Sequence, residues 1–134
     1  MLEVGNTTET QLTANQVIPF TTVSYDTNTD THFDSTKNAL TIDKSGYYVI
    51  SGNFVFEPSG EGDASILLYV NGSEVPVSTA TFTVGASAQK INFVIAPKVI
   101  KTIPTFADTS VPITFVVSTD GTLYNANALL IGAR

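Results

Sequence analysis

Cysteine is absent from the 134 residues, and histidine occurs once, at His32. Without cysteine there is no disulfide, no thiolate metal ligand and no cysteine nucleophile. A zinc site, which draws on several His or Cys side chains, lacks its donors. Basic residues are few: six Lys and Arg stand against twelve Asp and Glu, a formal net charge of −6. Nucleic acids and anionic membrane surfaces are recognised by clustered Lys and Arg, so neither is an expected partner. No apolar run approaches the ~18 residues that a membrane helix needs. Residues 1–10 are polar and acidic and do not read as a secretory leader. Also missing is helical periodicity: no stretch of ten places apolar residues at i, i+3, i+4 and i+7.

What is abundant points one way. The chain is 43% hydrophobic, with 20 Thr, 14 Val and 10 Ile, about a third of all residues. Branching at Cβ stiffens χ1 and suits a pleated surface better than a helix. Turn residues bound short segments at 16–25 (interrupted by Pro19), 39–42, 47–57, 64–70, 79–84, 89–95, 98–103, 111–118 and 123–131. Asn71-Gly72 is a hairpin signal and Asp120-Gly121 a tight turn. Residues 25–32 read as a loop rich in Asn and Asp, which hydrogen-bond their own backbone. Many short strands without intervening helices predict an all-β chain folded as a two-sheet antiparallel sandwich or barrel. Residues 1–15 are Thr- and Asn-rich and read as a flexible arm before a domain spanning 16–134.

Alternation separates two kinds of strand. Residues 111–118 set Val111, Ile113, Phe115 and Val117 against a more polar opposite face, as expected when one face is wet. Residues 47–56 are apolar on both faces: Tyr48, Ile50, Phe54 and Phe56 on one, Tyr47, Val49 and Val55 on the other. Residues 123–131 behave alike, with Leu123, Leu129 and Ile131 opposed to Tyr124, Ala126, Ala128 and Leu130. A small sandwich has one core, so a second apolar face predicts contact with another chain.

These residues also carry a resemblance. Tyr25-Asp26-Thr27-Asn28-Thr29 with His32-Phe33-Asp34, then Leu40-Thr41-Ile42 and Ser45-Gly46-Tyr47-Tyr48-Val49-Ile50, resembles the globular head of complement-one-q-like domains, which belong with the tumour-necrosis-factor-like jelly rolls. Val70-Asn71-Gly72 and a closing Leu129-Leu130-Ile131 fit the same pattern over about residues 16–133. The resemblance implies a jelly-roll homotrimer with the first, third, sixth and last main strands in the inner sheet near the threefold axis. Tyr47, Val49, Val55, Tyr124, Leu129 and Ile131 would then line the subunit interface. No Gly-X-Y stalk precedes the head, so the chain looks more like the bacterial and bacteriophage versions of the family. The role expected from this is a non-catalytic structural protein on a virion surface, as capsid decoration or a head-fibre knob. It would dock on a capsid or fibre protein through the arm at 1–15. The alternative is an adhesion head on a bacterial cell or spore surface that binds carbohydrate or protein through its loops.

Chemistry-bearing residues are sparse. Asp26, Asn28 and Asp30 alternate like the start of a calcium loop, but the sixth and twelfth positions hold Thr31 and Lys37 where Gly and Glu are needed. Glu57, Glu61 and Asp63 fall in one loop; as a glycoside-cleaving pair they lack Trp for stacking a sugar. His32 has no evident activated nucleophile. Asp26, Asp30, His32, Glu57, Glu61 and Asp63 are therefore read as possible ligand-loop residues, with no catalytic residue, cofactor or metal site expected. Asn6-Thr7-Thr8 and Asn71-Gly72-Ser73 match glycosylation sequons that are not expected to be used.

Overall fold

A computed structural model of the chain describes residues 1–27, 30–75, 79–85, 89–102 and 110–133. Among them the regular structure is entirely β. In chain order the strands are β1 (Leu2–Asn6), β2 (Thr10–Leu12), β3 (Thr22–Asp26), β4 (Thr31–Asp34), β5 (Ala39–Ile42), β6 (Gly46–Pro58), β7 (Gly62–Val70), β8 (Ser73–Glu74), β9 (Ala80–Val84), β10 (Ile91–Thr102), β11 (Val111–Val117) and β12 (Gly121–Ala133).

They form two six-stranded antiparallel sheets. Sheet I runs β10-β6-β12-β1-β3, with β2 also on β12; sheet II runs β4-β5-β11-β7-β8, with β9 also on β7. This is a two-sheet jelly roll. Sheet I holds the two longest strands, β6 and β12, side by side, flanked by β10 on one side and by β1 and β3 on the other.

The core lies between the sheets. Phe54 and Phe56 of β6 and Phe115 of β11 are fully buried; the Phe54 and Phe115 rings stand 4.9 Å apart in a tilted pair, and Phe56 meets Phe93 edge-on at 6.2 Å. Burial of each such side chain contributes about 1.5–3 kcal/mol. Gly52 is a notch for these rings: a Cβ there would sit 2.7 Å from Phe54 and 3.1 Å from Phe115, which explains a glycine in a central strand. Asn71 and Gly72, at φ 53° and 82°, close the expected hairpin between β7 and β8.

Four sequence expectations are corrected. Residues 1–15 are part of the sandwich, not an arm beside it: β1 pairs with β12, Leu2 and Val4 are fully buried, and Leu12 is nearly so. The alternation Leu2-Glu3-Val4 carries β1, and three apolar side chains suffice once a strand edge is waiting for them. The segment 16–25 is divided at Pro19. Val17 bridges to Val116 and Ile18 and Phe20 enter the core, whereas residues 22–26 join sheet I as its edge β3. The expected loop at 25–32 is trimmed by β3 and β4, because pairing of Asp26 with Leu2 and of Thr31 with Ile42 overrides local Asx-turn preference. Finally, 89–95 and 98–103 are joined: β10 continues past Pro97 through an irregularity between Ile95 and Lys98. A proline is tolerated there because β10 is an edge strand.

Candidate assembly face and loop sites

Sheet I has a face turned away from the core. On β6 the side chains Tyr48, Ile50, Phe54 and Phe56 point inward, so Tyr47, Val49, Ser51, Asn53, Val55 and Glu57 point outward. The pairing register extends each outward position across the sheet. Val99, Val49 and Ile131 form one row. Ser51, Leu129, Glu3 and Tyr25 form the next. Val94, Asn53, Asn127 and Gly5 follow, then Asn92, Val55 and Asn125. Five of the six predicted interface residues, Tyr47, Val49, Val55, Leu129 and Ile131, thus share one face; Tyr47 is 52% exposed and Ile131 39%.

Tyr124 reaches that side by a different route. Strict alternation would put it with Ala126 and Leu130 in the core and would turn Leu123 outward. Instead the register shifts between Leu123 and Asn125, so Leu123 is fully buried and Tyr124 is the extra, half-buried residue of a bulge. The Lys90 ammonium stands 4.0 Å over the Tyr124 ring. Partial desolvation, then the carboxylates of Glu57 and Glu9, hold its hydroxyl above the ordinary 10. At the other end of the face Lys101 lies 5.7 Å over the Tyr47 ring.

Sequence reading missed Tyr25, Val94 and Val99, which are 50%, 57% and 60% exposed. The alternation Ile91-Asn92-Phe93-Val94-Ile95 held the signal for Val94, but Val99 and Tyr25 depend on the β10 irregularity and on β1, neither legible locally. Among the described residues, six of the seven exposed large hydrophobics belong to strands of sheet I; the seventh, Phe82, is on β9.

The loop residues do not assemble into one site. Asp26 is exposed on β3, Asn28 lies outside the described residues, and Asp30 is 7% exposed with Lys44 Nζ 3.3 Å from its carboxylate. Among the described residues no group of three or more His, Asp or Glu is placed to hold a metal ion. His32 Nδ1 contacts one carboxylate oxygen of Asp43, and the Ser110 hydroxyl donates to the other at 3.2 Å. Asp43 stands between His32 and Ser110. An imidazole that activates a hydroxyl must itself stand between, so this order holds a loop and does not make a nucleophile. His32 also borders a polar cleft of about 270 Å³ with Asp34, Lys37, Asn71 and Pro112.

Glu61 and Asp63 line a separate shallow depression with Ser59, Ser118 and Asp120. Asp63 accepts from the Thr83 hydroxyl at 2.7 Å, and Asp120 from the Ala14 amide at 2.7 Å. Glu57 is not in this group: it ends the outward row of β6, close enough to Tyr124 to act on its titration. Glu57 and Glu61, weighed above as a carboxylate pair, are therefore not brought together. Of the two sequons, Asn6 is 1% exposed and donates its amide to the Pro19 carbonyl at 3.0 Å, whereas Asn71 is exposed on the hairpin.

No protein-family model matches the chain, and no curated protein does. Solved structures do. The globular domain of the zebrafish complement 1qA protein superposes with a TM-score of 0.70 at 13% identity, over 96% of this chain and 94% of that one. The Eiger TNF of S. frugiperda gives 0.77 at 8% identity, over 99% and 91%. These likenesses establish the fold: an all-β, two-sheet jelly roll of the kind found in complement-one-q and tumour-necrosis-factor heads.

Proposed function

We propose that this chain is a non-catalytic structural head that assembles with two further copies through the outward face of sheet I, displayed on the outside of a bacteriophage particle. The observation that carries the reading is that five of the seven exposed large hydrophobics among the described residues, Tyr25, Tyr47, Val94, Val99 and Ile131, lie on that face beside the half-buried Val49 and Leu129. Covering apolar surface stabilises an assembly by roughly 25 cal/mol per Å² before association costs. The charge distribution favours a second copy as occupant. The chain carries −6, yet Glu3, Glu57 and Glu9 at this face stand against Lys90 and Lys101. With three carboxylates against two ammonium groups, like-charge repulsion between copies is low here. Three copies are proposed because the complement-one-q-like and tumour-necrosis-factor-like heads that the sequence resembles are trimeric.

The virion location rests on the resemblance to phage heads of this type and on a low-charge, cysteine-free composition suited to a durable knob. The alternative, an adhesion head on a bacterial or spore surface, draws on the polar cleft beside His32, Lys37 and Asn71. Quantitative mass spectrometry of purified virions separates the two. The proposal expects the intact chain in multiples of three per attachment site; recovery only in host cell-surface fractions would replace it with the adhesion reading.

A further inference from the structure

The centre of the outward face of sheet I is not apolar. Asn92 of β10, Asn53 of β6, and Asn125 and Asn127 of β12 lie in two adjacent cross-strand rows, interleaved with Val55 and Val94. Asparagine is disfavoured in strands, so four of them on three neighbouring strands, with Asn53, Asn92 and Asn125 exposed, depart from ordinary strand composition. Asn127 finds a partner inside the chain, donating to Glu3 at 3.3 Å. The amides of Asn53, Asn92 and Asn125 make no intramolecular hydrogen bond among the described residues.

We infer that these three amides bond to polar groups of neighbouring copies and fix the register and number of subunits. The inference rests on self-assembly through this face and adds its specificity element. A carboxamide offers two donors and an acceptor, so it pairs with another copy of itself without any change of charge. An aliphatic face alone holds copies together in many rotations, because apolar contact is not directional. A buried polar layer penalises every arrangement that leaves its amides unpaired, as a single asparagine does in a coiled-coil seam.

The test uses the full chain, with 15N label in the asparagine side chains. Between dilutions at which the protein dissociates and its assembled form, the side-chain amide signals of Asn53 should shift. Their hydrogen exchange should slow at least tenfold, while Asn71 on the exposed hairpin should stay unchanged. The Asn53→Leu variant, checked for folding by its backbone spectrum, should associate at least as tightly as the parent but as a mixture of sizes. Asn53→Asp should weaken association at least 100-fold. Amide signals that are the same in the dissociated and the assembled protein would overturn the inference and leave the assembly face standing. So would an Asn53→Leu protein with the parent's single oligomer and affinity. A parent protein monomeric at every concentration would overturn the assembly face itself. Signals that ignore concentration but move with added chito-oligosaccharide would assign the patch to a carbohydrate instead.

Discussion

The two sheets of this sandwich turn opposite kinds of surface outward. On sheet II, at the β7–β9 edge, the outward side chains satisfy one another. The Ser65 and Thr81 hydroxyls share a hydrogen bond of 2.9 Å, Thr83 donates to Asp63 at 2.7 Å, and Ser118 accepts from the Ser65 amide at 2.8 Å. On sheet I the outward side chains include the exposed Tyr25, Tyr47, Val94, Val99 and Ile131 and the unpaired amides of Asn53, Asn92 and Asn125, beside Glu3, Ser51 and Glu57. Both sheets present equally apolar inner faces to the same core. The contrast teaches that the inward pattern specifies the fold, while the outward patterns of the two sheets differ: the β7–β9 edge closes its hydrogen bonds within the chain, and sheet I carries the exposed apolar residues on which the proposed assembly rests.

The hardest way to break the comparison is through what the sheets share. Phe115→Ala should cost about 3–5 kcal/mol, because the ring packs on Phe54 and Phe20 across the whole interior. Denaturant unfolding should detect it as an earlier midpoint whatever the state of assembly. Val49→Asp acts on one side only. A carboxylate in the Val99–Val49–Ile131 row should weaken association by about 2 kcal/mol or more per subunit and leave the far-ultraviolet spectrum all-β. A smaller effect is expected on the opposite surface. Ser65→Ala removes the hydroxyl pair with Thr81 and should cost about 1 kcal/mol of stability with the subunit count unchanged. If Ser65→Ala dissociated the protein, the division of labour between the faces would be wrong.

The smallest effect concerns acid. The hydrogen bond from the Thr36 hydroxyl, followed by the amides of Thr36 and Lys37, outweighs desolvation and holds the Asp34 carboxyl below its ordinary 3.8. A carboxylate whose folded pKa is lowered contributes stability that is fully present above the ordinary value and is lost as pH falls through the lowered one. The stability advantage of the parent over Asp34→Asn should therefore be constant near neutrality and shrink below about pH 4. Unfolding at several pH values measures it, and an advantage that instead grew toward acid would contradict the assignment.

Much of this was legible in the sequence, and the exceptions have physical reasons. β5 and the Asn71-Gly72 hairpin were readable because turn residues mark their ends, and the double-sided character of β6 because alternation is local. β1 was not, since a short strand of modest hydrophobicity is stabilised by its pairing with β12, 120 or more residues away in the chain. Tyr124 was assigned to the right face by the resemblance and to the wrong one by alternation, because a bulge adds a residue that no period of two contains. The apolar face was half legible: its β6 and β12 members could be read from alternation, while Val99 and Tyr25 required register across an irregular edge strand and across β1. The loop residues were recognisable as polar loops, but that Asp43 joins His32 to Ser110, and that Glu57 parts from Glu61, is a matter of tertiary placement alone.

Copies of the same chain are proposed to cover the outward face of sheet I. Sedimentation equilibrium of the unmodified protein, run beside Val49→Asp, tests this most directly. The account predicts about 43 kDa for the parent, three times the 14.2 kDa chain, and about 14 kDa for the variant. A parent that sediments at 14.2 kDa across the concentration range would contradict it.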